Sequence, residues 1–242
     1  MVVKMPDKNQ SKISDSLRDY GSILYANIKF SSIDNPVKTV TIASTIPAEG
    51  KTSIAIFLAM TIAEQGKSVL IIDGDFRRPR IGRYLGKRFE QGFFNYIVKE
   101  ASLDSVINAT NIPNVYFMDC GYKVPNSIEI FESDKFTQMI RFLREKFDFV
   151  LIDTPPLSLF IDAAVIAPRT DGTILVCGSG QVSYRQAQEA LEQLRNSKAN
   201  VLGCVLNKVS DKHLDYGFKN KKYLRYYGYV EDKNEKKQRK KK

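Results

Sequence analysis

Three short stretches of this 242-residue chain carry side chains suited to phosphate and metal chemistry. The first, Ser44-Thr45-Ile46-Pro47-Ala48-Glu49-Gly50-Lys51-Thr52-Ser53, ends in a glycine, a lysine and two hydroxyls. A loop that cradles phosphate needs inward backbone N–H groups, a lysine reaching the β- and γ-phosphates, and a hydroxyl for Mg²⁺ where a helix begins. Gly50-Lys51-Thr52 ends that pattern, and Pro47 to Ser53 are the candidate nucleotide-binding residues, although Thr45 stands where the usual first glycine would be. The second stretch is Asp73-Gly74-Asp75-Phe76-Arg77-Arg78-Pro79, two carboxylates one residue apart. The third is Asp153-Thr154-Pro155-Pro156, an aspartate closing an apolar run, the arrangement in which a carboxylate holds Mg²⁺, usually through its water. Each carboxylate alone also fits a solvated turn. Together they are candidates for the chemistry: Lys51, Asp73, Asp75 and Asp153 for catalysis, with Thr52, Asp75 and Asp153 as metal ligands.

These loops need strands and helices to bring them together. The β-branched apolar runs 38–43, 68–72, 115–119, 149–153, 173–177 and 201–206 read as strands, and their continuous apolarity predicts burial on both faces, as in a parallel sheet. Helices are expected over 14–31, 52–65 (stopped at Gly66), 128–146 and 183–197. Strand–helix alternation predicts a doubly wound three-layer α/β fold with a mostly parallel sheet, where ligands bind beyond the carboxyl ends of the strands. All three loops follow strands in that scheme, so binding of a nucleotide with Mg²⁺ is the expectation; the cofactor pair ATP and Mg²⁺ is what the family resemblance given below implies.

Composition narrows the rest. No apolar run is long enough to cross a bilayer, and the polar first twenty residues lack the apolar stretch of a signal peptide, so a cytoplasmic location is expected. Cys120, Cys177 and Cys204 show no metal-ligand spacing and read as small buried hydrophobes. The single histidine, His213, reads as a surface residue and leaves no room for Ser-His-Asp chemistry. Of the net charge of +10, the segment from Lys219 to Lys242 carries +8 (eleven Lys/Arg against three Asp/Glu), leaving a nearly neutral body. That balance, without a recognition helix, argues against nucleic acid as a partner. Domain organisation follows: a flexible start over 1–13, a catalytic domain over 14–212, and a flexible tyrosine-rich, polybasic tail over 213–242.

"ASTIPAEGKTS", "LIIDGDFRRP" and "FVLIDTPP" resemble the Walker A, Walker A′ and Walker B motifs of the bacterial tyrosine kinases of capsule and exopolysaccharide synthesis, the CpsD/CapB group. "VPNSIEIF", Asp162-Ala163, "VLGCVLNKV" and the tyrosine-rich end extend the resemblance over nearly the whole chain, from about Leu17 to Tyr229. It implies a P-loop NTPase-like fold and an ATP-dependent protein-tyrosine kinase that modifies its own tail between subunits, with Tyr216, Tyr223, Tyr226, Tyr227 and Tyr229 as acceptors. The alternative for those rings is that they pack on the body. By the resemblance, Lys51 neutralises the phosphates, Thr52, Asp75 and Asp153 serve the metal, and Asp73 orients or deprotonates the incoming hydroxyl. Spacing leaves open which of Asp73 and Asp75 is the base, and whether Arg77 and Arg78 steady phosphate or make surface salt bridges. The resemblance also implies a transmembrane adaptor of the polysaccharide co-polymerase type that recruits the chain to the inner face of the membrane. The Lys-rich tail suits an anionic lipid surface until phosphate neutralises it. In the family's first helix two arginines link subunits into a ring; here Ser22 and Tyr25 replace them, so self-association needs some other contact. The rivals are a ParA/MinD-type ATPase switch, against which Ile46 stands where that group has a signature lysine, and an inactive regulatory homologue.

Overall fold

The computed structural model describes residues 15–209 other than 33, 87–90, 123 and 125. The expected flexible start, His213, the lysine run and all five candidate acceptor tyrosines lie outside the described residues. Within them the chain runs α1 (Asp15–Phe30), β1 (Thr39–Ser44), α2 (Lys51–Glu64), β2 (Val69–Asp73), α3 (Ile81–Tyr84), α4 (Phe93–Ile97), β3 (Asn108–Ala109), β4 (Val115–Met118), α5 (Ser127–Glu132), α6 (Asp134–Lys146), β5 (Phe149–Asp153), α7 (Asp162–Ile166), β6 (Gly172–Gly178), α8 (Tyr184–Asn196) and β7 (Val201–Asn207). The strands form one sheet in the order β3-β4-β2-β5-β1-β6-β7, parallel throughout except for the short antiparallel edge β3. The six expected strands are all present, each within a residue or two of its expected bounds.

Burial on both faces explains the unbroken apolar runs. On one face Val40, Ile42, Ile71, Leu151, Ile174 and Val176 pack under α1 and α2. On the other, Leu70, Ile72, Val150 and Ile152 meet α6, while Ala43, Leu175 and Cys177 meet α7 and α8. Because α2 is sandwiched between the sheet and α1, it is apolar nearly all round. It stops where expected, Gly66 taking the left-handed conformation just past the end (φ +75°). The crossing of α1 and α2 is close at Gly21, where an added Cβ would sit 2.3 Å from Thr61 Oγ1 and 2.9 Å from Phe57. Tyr25, one of the two residues standing in for the family arginines, turns inward and sets its ring edge-on to Phe149 at 5.4 Å. The outer side of α1 instead exposes Tyr20, Ile23 and Phe30.

Two expectations need correction. The span 128–146 is not one helix: the chain breaks at Ser133, whose backbone is extended and whose Oγ accepts the Phe136 N–H, starting α6 afresh. Cys204 is not buried, because β7 is an edge strand and leaves part of its α8-side face open; Cys120 and Cys177 are buried as expected. No helix among the described residues is long and apolar enough to cross a membrane.

Candidate active site

The loops after β1, β2 and β5 meet because those three strands are neighbours, β2-β5-β1, and parallel. Gly50 caps α2 in the left-handed conformation (φ +94°) without a side-chain cap. The first N–H groups of α2 therefore have no capping side chain and face an open cleft of about 390 Å³. Pro47, Ala48, Gly50, Lys51, Thr52 and Ser53 all line that cleft. Glu49 does not. Its buried carboxylate turns inward and takes the Ile46 N–H (2.8 Å) and, across the fold, the Gly178 N–H at the end of β6 (2.8 Å). The loop is braced from a third side by Asn207, whose Nδ2 donates to the Glu49 carbonyl at 2.8 Å, and by Lys208, whose ammonium donates to the Ala48 carbonyl.

Lys51, Thr52 and Asp153 come together. Thr52 Oγ1 donates to Asp153 Oδ2 at 2.6 Å, and Lys51 Nζ stands 3.5 Å from Asp153 Oδ1. Oδ1 is buried and accepts no hydrogen bond among the described residues. Burial pushes the Asp153 carboxyl above its ordinary value and Asp75 adds to this, while Lys51 and Thr52 pull it down. Asp73 is paired in register with Asp153 and fully buried; burial, then the Asp153 charge, push it up to about 8. Its oxygens accept from the backbone N–H groups of Asp75 (3.1 Å), Arg80 (2.9 Å) and Ile81 (3.1 Å), so this carboxyl organises the loop from beneath. Asp75 lines the cleft instead, with Oδ1 accepting from the N–H groups of Arg77 (3.1 Å) and Arg78 (2.9 Å). Gly74 is required between them: its N–H donates to the Asp153 carbonyl at 2.7 Å, and a Cβ there would lie 2.7 Å from that same oxygen.

An all-oxygen donor set, with a buried carboxylate oxygen left unsatisfied beside a hydroxyl, fits a hard divalent cation such as Mg²⁺. Thr52, Asp75 and Asp153 are the residues that would hold it.

The comparisons with known proteins agree with that geometry. A model of the AAA domain family matches residues 37–202. The chain is 34% identical over 200 residues to tyrosine-protein kinase CpsD of Streptococcus agalactiae serotype Ia, covering 82% of this chain and 85% of the relative. The chain belongs to the bacterial tyrosine-protein kinases. Tyrosine-protein kinase YwqD of Bacillus subtilis (strain 168) is also 34% identical, over 79% of this chain and 81% of its own length. Among solved structures, the kinase domain of the Escherichia coli tyrosine kinase ETK superposes with a TM-score of 0.77 at 25% identity, over 81% of this chain and 76% of that one. The Mg-ADP complex of MinD from Pyrococcus horikoshii superposes at 0.61 with 24% identity, over 76% and 72%, and shows a shared P-loop NTPase-like fold.

The structural roles of several residues of this site escape motif reading. Glu49 and Asn207 act as struts across the fold, and nothing in local spacing marks them. Phe76 anchors the Asp75 loop, its ring 5.0 Å from Phe93 and 5.6 Å from Phe131 in the core. A bulky apolar residue amid charges was the available signal. Arg77 lines the cleft, stacks over Phe160 at 3.9 Å and pairs with the buried Asp162 at 2.7 Å, which Ser127 also reaches at 2.5 Å. Arg78 lines the same cleft.

Proposed function

We propose that this chain transfers the γ-phosphoryl group of ATP to tyrosine hydroxyls, first those of a second copy's terminal segment, and so regulates capsular or exopolysaccharide assembly. The observation that carries the reading is the meeting of Lys51, Thr52 and Asp153 beneath an open loop of N–H groups, with Asp75 lining the same cleft. Phosphoryl transfer needs little beyond such positioning and charge neutralisation. In this reading the α2 N-terminus and Lys51 hold the phosphates. Thr52, Asp75 and Asp153 would hold Mg²⁺, which would supply further neutralisation of the phosphate charge. The tyrosine oxygen forms a bond to the γ-phosphorus as the bond to the β-phosphate breaks, and the phenolic proton passes to a carboxylate of the Asp73–Asp75 loop, of which Asp75 lines the cleft. ADP is the leaving group. Tyr216, Tyr223, Tyr226, Tyr227 and Tyr229 are the proposed acceptors. A transmembrane adaptor of the polysaccharide co-polymerase type is the proposed partner that recruits the chain to the inner membrane face, where the polybasic tail meets anionic lipid.

The test is incubation of the full chain with Mg-ATP, with and without an adaptor fragment, followed by mass-spectrometric mapping of phosphotyrosine. Phosphate is expected in the tail and absent from Lys51→Met. ATP hydrolysis without any phosphotyrosine would leave a nucleotide switch, and tail phosphate persisting in Lys51→Met would discard the site.

A further inference from the structure

Between β5 and α7 the chain passes the cleft, which Pro156, Leu159 and Phe160 line. This loop is pinned at its base. The N–H groups of Leu157 and Ser158 donate to the Ser44 and Thr45 carbonyls, each at 2.9 Å, and those of Leu159 and Phe160 to the Pro156 carbonyl at 3.1 Å. On so fixed a loop, Leu159 and Ile161 still leave 58% and 52% of their surface exposed. Phe160 lies under the Arg77 guanidinium at 3.9 Å, and Asp162 holds that guanidinium at 2.7 Å. Arg77, Leu159 and Phe160 line both the cleft and a second opening of about 390 Å³, which Ile128, Leu157 and Ile161 complete. These three shared residues are the partition between the two. We propose that the second opening is a specificity pocket for the side chain immediately after the acceptor tyrosine, selecting tyrosines that a large apolar residue follows.

The inference rests on the kinase reading and names the sequence which that site selects. Apolar side chains left in water are ordinary when scattered, but a contiguous group around a concave opening marks a surface that takes a ligand. This group stands at the acceptor end of the cleft. Strand β5 lies beside β2, so its loop neighbours the Asp75 loop, whereas Lys208 lies beyond β1 and β6 at the end of β7. In an extended segment adjacent side chains point to opposite sides. A segment lying along the partition of Arg77, Phe160 and Leu159 therefore lowers a tyrosine ring into the cleft and its next side chain into the apolar opening.

The terminal segment carries that pattern. Tyr223 precedes Leu224, Tyr226 precedes Tyr227 and Tyr229 precedes Val230, whereas Tyr216 and Tyr227 precede Gly217 and Gly228. The occupant is accordingly the segment 223–230 of a second copy, and Tyr223, Tyr226 and Tyr229 should accept phosphate ahead of Tyr216 and Tyr227. Ile161 separates this pocket from nucleotide binding, because it lines the second opening and not the cleft. It also stands at the N-cap of α7, where serine is a favoured residue, so Ile161→Ser removes an apolar wall at a position suited to the replacement.

The test uses the full chain and fluorescent peptides spanning residues 219–230, with Tyr223 kept as the one acceptor and the other tyrosines replaced by serine. With Mg-ATP, Leu224→Ser in the peptide should lower kcat/KM about tenfold for the wild-type enzyme. Ile161→Ser should lower it about tenfold for the Leu224 peptide and leave it indifferent to Leu224→Ser, with Mg-ADP affinity unchanged. Peptide anisotropy in Mg-ADP should show the same preference and the same loss of it. Equal use of both peptides by the wild type, or a preference undiminished in Ile161→Ser, would overturn the proposal. So would an Ile161→Ser effect confined to self-association, which would assign the opening to a contact between folded bodies. A peptide bound with the Leu224 preference but never phosphorylated would end the kinase reading and keep the pocket; a peptide neither bound nor phosphorylated would end the pocket.

Discussion

Asp73 and Asp153 face each other in register at the ends of β2 and β5, two buried carboxyls one strand apart. Burial and this neighbour push Asp73 up to about 8, so without metal the folded protein holds a proton that the unfolded chain releases near pH 4. The contribution to stability is full below pH 4 and is lost as pH rises through about 8. In EDTA the melting temperature of the wild type is therefore expected to fall across that window. Asp73→Asn should flatten the slope there; an unchanged slope would show that the proton sits elsewhere.

Asn207 does not itself line the cleft yet holds the loop that forms it. Its Nδ2 reaches the Glu49 carbonyl and occupies the space an added Cβ on Gly50 would need, 2.2 Å away. Asn207→Ala should lower stability by about 1–2 kcal/mol for the lost buried hydrogen bond. The KM for ATP is expected to rise about tenfold, with kcat changed less, because ground-state binding is what the brace supports. Steady-state kinetics and urea unfolding check both. Gly50→Ala should fail more severely, since the clash adds to a left-handed backbone.

Arg77 answers the buried charge of Asp162, whose Oδ2 accepts no hydrogen bond among the described residues. Arg77→Ala leaves that carboxylate with the Ser127 hydroxyl alone and is expected to cost about 3 kcal/mol. Adding Asp162→Asn to Arg77→Ala should recover part of the loss, because the neutral amide is cheaper to bury. Additive losses in the double variant, by urea unfolding, would show that the pair is not coupled.

Gly21 sets the distance between α1 and α2. Gly21→Val should push α1 off Thr61 and Phe57 and destabilise the fold by about 2–3 kcal/mol, as overpacking does. Protection of α1 amides from hydrogen exchange should fall first, ahead of the sheet.

The sheet was readable because burial on both faces leaves runs such as "SVLII" and "FVLID" unbroken, and the candidate site was readable because its carboxylates end those runs. What stayed hidden depended on distant partners. The break at Ser133 interrupts a helical period that continues across it, since Phe131, Phe136 and Ile140 face one core. Glu49 sits inside the phosphate-loop motif and spacing counts it as a nucleotide contact, yet its carboxylate reaches Gly178, 129 residues away. Strand β3 has only two residues, too few to show a pattern. Cys204 looked buried because an edge strand and a central one share the same composition.

The end of β7 also sets where the C-terminal segment begins. Lys208 lines the cleft itself, so the remaining chain sets off from the doorway of its own active site. Lys208 thus serves two places at once, bracing the phosphate loop through the Ala48 carbonyl and lining the cleft that the loop forms.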